Sequence, residues 1–257
     1  MYKLIIIWFC IWQTPAWAEK FVVASQNFNY YPHYNFQSGT NKGIIWAILQ
    51  EFSAYTGHQF VYHQMPVLRL QRELEKGTID LVYPDNHLFN KDKNFAKGKY
   101  YSDTIVRTLG GTMVKAAKLG QNISTIKRLS IPLGFTPQEG WEVLINAKKV
   151  TLIEVNTPLA ELQLLAKDRV DAAEVDFFVS QHQLQNNPQF REFVFAPELP
   201  HSVVEFKIST VNKTQLIDEI NKFIRSHPKM INELKVQYGI VEPELILQRL
   251  KRISSDK

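Results

Sequence analysis

Two stretches of this chain match at a fixed offset, and that match constrains the fold more than any other feature. Leu74-Glu75-Lys76-Gly77-Thr78-Ile79-Asp80 aligns with Leu165-Ala166-Lys167-Asp168-Arg169-Val170-Asp171, 91 residues on, and the same register pairs Asp85 with Asp176. Two copies of a helix-turn-strand unit do not make a solenoid, which needs three or more repeats. They make two related units. The surrounding pattern agrees. Apolar runs and helical spacing predict strands over 21–25, 59–63 and 78–83, with helices over 43–52 and 68–75 between them. Strands over 129–135, 150–155 and 170–175, with helices over 137–147 and 158–167, repeat the order. Alternating strand and helix predicts a parallel sheet with helices packed on it.

The expected fold class is therefore α/β, with two lobes joined by a two-strand hinge. The first lobe covers 19–109 and the second 110–207. Residues 208–257 return to the first lobe through a strand over 203–211 and helices over 215–226, 231–238 and 243–253. Gly110-Gly111 and Phe206–Ile208 mark the two crossings. In open α/β sheets, ligands bind beyond the carboxyl ends of the strands. Asp85 and Asp176 fall just past such ends, one per lobe, and are expected to face each other across an interlobe cleft.

The start of the chain reads differently. Lys3 precedes an unbroken apolar run from Leu4 to Trp12, and Gln13-Thr14-Pro15 leads to Ala16-Trp17-Ala18. This is the order of a cleavable secretory signal, and the run is too short for a membrane span, which needs about 20 residues. Cleavage after Ala18 would leave 239 of the 257 residues, with no cysteine, since Cys10 is the only one. The expected location is the periplasm. The net charge of +5 is small, and basic residues are interleaved with acids, so nucleic acid is not expected as a partner. The seven histidines have no short ligand spacing, so neither a metal nor another cofactor is expected.

Four segments together resemble the periplasmic solute-binding proteins of family 3, receptors of polar amino acid transporters. They are Tyr30-Tyr31-Pro32 after the first strand, Leu74 to Leu81, Phe95-Ala96-Lys97-Gly98-Lys99-Tyr100-Tyr101, and Leu165 to Asp176. The resemblance covers 21 to about 240. It implies a two-lobed receptor, a monomer, that captures a small polar ligand, cationic or amino-acid-like, for membrane transporter subunits or a sensor domain. Tyr30 falls where the family stacks a ring on its ligand, and equally reads as a surface-loop tyrosine. Asp176 falls where the family pairs a carboxylate with the ligand's ammonium group. Thr136-Pro137 opens a helix, with Thr136 as its cap, where the family binds a ligand carboxylate at the helix start.

The chain also departs from the family pattern. Asn86 to Asn94 contains no arginine where the family clamps a carboxylate; Lys91 or Lys93 could supply only a point charge. Asp85 and His87 stand where the family often has small hydroxyl residues. These changes imply a cationic or polar ligand with a weak or absent carboxylate. An alternative is a dehydratase-like enzyme on the same fold, using Glu174, Asp176, Asp85 and His87. Glu174 and Asp176 alternate along one strand end and so share a face. No Gly-x-Ser-x-Gly or His-Glu-x-x-His motif is present, so binding without catalysis is expected. The basic, amphipathic tail Leu247 to Arg252 reads as a solvated terminal helix.

Overall fold

A computed structural model describes residues 18–89 and 98–255. The leader run, Cys10, Lys91, Lys93 and Phe95-Ala96-Lys97 of the Phe95–Tyr101 segment lie outside the described residues. The first unit runs β1 (Lys20–Gln26), α1 (Ile44–Thr56), β2 (Gln59–Met65), α2 (Val67–Lys76) and β3 (Leu81–Asp85). β1 lies between β2 and β3 and is parallel to both. α1 buries Ile44, Ile45, Ile48, Leu49 and Phe52, one apolar stripe of a 3.6-residue period. Both helices stop at a glycine in the left-handed region, Gly57 (φ 81°) and Gly77 (φ 72°). β3 starts three residues later than the sequence pattern predicts. Thr78 still donates its N–H to the Glu73 carbonyl, and the Asp80 carboxylate takes the Val22 N–H. These bonds hold 78–80 in a turn.

After β4 (Tyr100–Tyr101), the long strand β5 (Val106–Lys115) enters the second unit. That unit comprises β6 (Arg128–Pro132), α3 (Glu139–Asn146), β7 (Thr151–Val155), α4 (Pro158–Ala166), β8 (Ala172–Asp176), α5 (Phe177–Asn186) and β9 (Phe193–Phe195). The internal repeat is real in three dimensions. α2 and α4 begin at Val67 and Pro158, and β3 and β8 end at Asp85 and Asp176, each 91 residues apart. α5, which the sequence pattern did not predict, begins directly after Asp176. β10 (Ser202–Thr210), α6 (Thr214–Ser226), α7 (Pro228–Gln237) and α8 (Pro243–Ser255) complete the chain. Among the described residues, no helix is long and apolar enough to cross a membrane.

One continuous sheet runs β2-β1-β3-β10-β5-β8-β6-β7, with β4 on β10 and β9 on β5. β5 and β10 pair antiparallel at its centre, from Val106↔Phe206 to Gly110↔Ser202. At Lys207 the edge of β10 passes to β3, opposite Asp85. At Gly110 the other edge of β5 meets β8, opposite Asp176. Gly110 and Lys207 are thus where the two strands change partner. A single apolar core spans both units, from Ile48, Phe52 and Ile220 to Leu162, Phe178 and Phe193. Trp141 of α3 is fully buried in a second cluster and donates its indole N–H to Thr112 Oγ1 at 2.9 Å.

Gly111 marks the tightest approach in β5. A Cβ there would lie 2.1 Å from Cζ of the Phe195 ring. Gly111→Ala should cost about 1–3 kcal/mol through overpacking, read as a lower urea midpoint with an unchanged slope. An unchanged midpoint would mean that β9 yields freely.

Candidate functional site

The site forms where β8 ends. Asp176 is nearly buried and serves as the N-cap of α5, accepting the Val179 N–H on Oδ1 at 3.0 Å. Thr108 of β5 donates its hydroxyl to Oδ2 at 2.5 Å. The third partner comes from the other unit. His33, on the loop between β1 and α1, places Nε2 3.0 Å from Oδ1. Its ring is fully buried, edge-on to Phe178 and Phe206. This contact joins the two lobes through buried polar atoms. Sequence reading singled out Asp176 and missed His33. The signal was its place directly after Tyr30-Tyr31-Pro32, one residue beyond the segment that drew attention.

Tyr30 is buried rather than a surface-loop residue. Its ring stacks on Tyr34 at 5.4 Å, meets Phe28, and reaches Phe135 of the second lobe and Phe206 of β10. Burial holds its hydroxyl pKa well above the usual range, and nearby Asp176 adds to this. Gly134 of the same second-lobe loop lies against Val67 of α2, so this loop is a further point of contact between lobes.

Glu174, two residues before Asp176 on β8, occupies the start of α3. The Gln138 N–H donates to both its carboxylate oxygens, at 3.0 and 3.3 Å. The expectation that Thr136 caps this helix is corrected here. The N-cap is Gln138, whose backbone is extended (ψ 148°), and Thr136 lies exposed two residues outside. A cap at Thr136 would draw Gln138 into the helix and away from Glu174. Burial pushes the Glu174 pKa up to about 8, against the lowering effect of the Gln138 N–H. Glu161 of α4 is 1% exposed, and its Oε1 has no hydrogen-bond partner. Burial raises its pKa strongly, and the charge of Glu174 raises it further.

Glu161, Glu174, Asp176 and Tyr30 line one cavity, with Gln183 and apolar residues of α4 and α5. Its volume is about 10 Å³, room for about one water and far below the roughly 300–1,000 Å³ of an ordinary ligand pocket. The lobes are closed on their own side chains.

Asp85 and Asp176 do not face each other across this cavity. Asp85 is 1% exposed and satisfied within the first lobe. It accepts from Lys99 Nζ at 2.6 Å, Ser209 Oγ at 2.6 Å and its neighbour's Asn86 N–H at 2.8 Å. The reason is topological: β10 enters between β3 and β5 and brings Ser209 to the acid. His87 lies exposed on the following turn, with its ring 6.4 Å from that of Tyr101. Of the five residues expected at the site, Tyr30 and Asp176 come together; Asp85, His87 and Thr136 stand outside the cavity.

No family model matches the sequence, and no curated protein matches it. Solved structures match the fold closely. The substrate-binding protein of an amino acid ABC transporter has a TM-score of 0.68 at 16% identity, covering 85% of this chain and 98% of its own. An arginine periplasmic binding protein from Legionella pneumophila has a TM-score of 0.69 at 14% identity, covering 86% and 100%. A histidine kinase sensor domain similar to periplasmic binding proteins has a TM-score of 0.66 at 13% identity, covering 87% and 98%. These likenesses place the chain in the two-lobed periplasmic-binding-protein fold.

The raised carboxyl pKa values link stability to pH. Between about pH 4.5 and pH 8 the native state keeps a proton on Glu174 that the unfolded chain has released, so stability falls as pH rises through that window. At about 1.4 kcal/mol per pKa unit, the loss is a few kcal/mol. Glu174→Gln stays neutral and keeps an oxygen for the Gln138 N–H. The difference in urea midpoint between wild type and this variant should therefore shift steadily against wild type from pH 5 to pH 8. A difference that does not change with pH would refute the assignment.

Proposed function

We propose that this chain is a solute-binding protein that captures a small polar ligand between its lobes, without catalysis. The observation that carries this reading is the His33–Asp176 contact. A buried second-lobe carboxylate beside Tyr30 is met by a group from the first lobe. A charge-assisted bond of that kind is what a ligand cation would form with Asp176. The paired central strands β5 and β10 suit a hinge about which the lobes open to admit it. The lobes fall near 19–109 and 110–207, and the remaining residues return to the first. Asp176 and Tyr30 are the binding residues carried from the resemblance, and His33 is the competitor that the ligand displaces.

The leader, read with the fold likeness, supports a periplasmic location and delivery of the ligand to transporter subunits. Coordinates of a sensor domain on the same fold support a second reading, in which the closed lobes report the ligand to a signalling partner. Both readings share the same site. The enzyme alternative would have to use the cavity's three carboxyl groups, Tyr30 and the Ser180 hydroxyl, which donates to the Phe177 carbonyl rather than to a base.

A thermal-shift screen of amino acids, amines and other polar solutes on the purified protein tests the proposal. A true ligand at one hundred times its Kd should add about 2.7 kcal/mol to stability and be recovered chemically unchanged. Asp176→Asn should abolish the shift. Absence of any shift across the panel, or conversion of a solute to product, would overturn the reading.

A further inference from the structure

Resting on that binding reading, we propose that the second-lobe wall of the cavity is a site for an organic amine cation that carries no carboxylate, such as a diamine or an alkylguanidine. Four observations converge. First, the start of α3, a natural seat for an anion, is already taken by the protein's own Glu174 through the Gln138 N–H. The first turn of α3 adds Glu139 and Glu142, which further oppose an incoming carboxylate. Second, among the described residues no lysine or arginine lines the cavity, so none of them forms a carboxylate clamp there.

Third, Glu161 is almost wholly buried and lines the cavity, yet its Oε1 has no partner. A buried acceptor without a donor is costly, and an ammonium or guanidinium N–H would satisfy it. Fourth, the acids are spread along a wall. Glu174 and Asp176 lie two residues apart on β8, roughly 7 Å along the strand, with Glu161 beside them on α4. Among the described residues, no three acidic, histidine or cysteine side chains gather to hold a metal ion. Leu162, Val175 and Val179 between the acids offer an apolar path for a methylene chain. The ligand enters as the lobes part and His33 leaves Asp176.

The same geometry couples binding to protons. The groups facing Glu174 and Glu161 are each other, Asp176 and Tyr30, with His33 on the far side of Asp176. The free protein holds protons on the two glutamic acids, as their raised pKa values require. A bound cation favours their charged forms and expels protons, so affinity rises with pH toward about 8.

Calorimetric titration with putrescine and agmatine, against arginine and glutamine, decides the matter. Each is run at pH 6 and pH 8 in two buffers of different ionisation enthalpy. The amines should bind with proton release, and more tightly at pH 8. Arginine, which differs from agmatine by its carboxylate, should bind at least about tenfold more weakly than agmatine. Glu161→Gln and Glu174→Gln should each weaken amine binding by about tenfold and reduce proton release, with urea unfolding confirming that each variant folds. Arginine or glutamine binding as tightly as agmatine would overturn this inference while leaving solute binding intact. No binding by any of the four would also overturn it, and the solute-binding reading itself fails only if the wider thermal-shift panel is silent.

Discussion

Asp176 is the constraint on which the rest of the structure turns. A carboxylate removed from water costs several kcal/mol unless its oxygens are occupied. Here three separate elements occupy them: the first turn of α5, the Thr108 hydroxyl of β5 and the His33 ring of the opposite lobe. The first belongs to the wall that carries the acid, and the second to the hinge strand β5. The third belongs to the opposite lobe, and it can leave only if water or a solute takes its place. Closure of the lobes is therefore conditional on the chemistry at one oxygen atom. The aromatic shell of Tyr30, Tyr34, Phe178 and Phe206 raises the stakes by keeping water out.

The alternation of strand and helix and the two-unit repeat were legible because each follows from local spacing. Apolar periodicity sets helix faces, and glycine sets helix ends. Asp176 was legible as the last residue of a repeated strand. Thr136 misled because a threonine followed by proline carries the local pattern of a cap, whereas Gln138 N–H is claimed by an acid 36 residues later. Asp85 misled because its partners, Lys99 and Ser209, lie 14 and 124 residues away. His33 pairs across 143 residues. Glu161 sits inside an apolar helical pattern, where one acid reads as a solvent-facing residue. Pairings of such span leave no trace in local composition.

Fold and chemistry separate in this molecule. Identities of 13 to 16% suffice to keep the topology, because a two-lobed sheet asks only for apolar residues at the right period. The cavity wall is under no such rule. One structural position, the start of α3, is occupied from within: Glu174 takes the Gln138 N–H and stands in the cavity wall. A likeness in backbone therefore says little about the charge of what the backbone holds.

The backbone of Gly110 has two partners. One edge faces Ser202 of the hinge pair, and the other faces Asp176 at the end of β8. The acid thus sits at the fulcrum of any rotation between the lobes. Points at the rims travel far in such a rotation, while the carboxylate scarcely moves. Leverage then runs outward: a small rotation at Gly110 becomes a large displacement at the outer faces of the lobes.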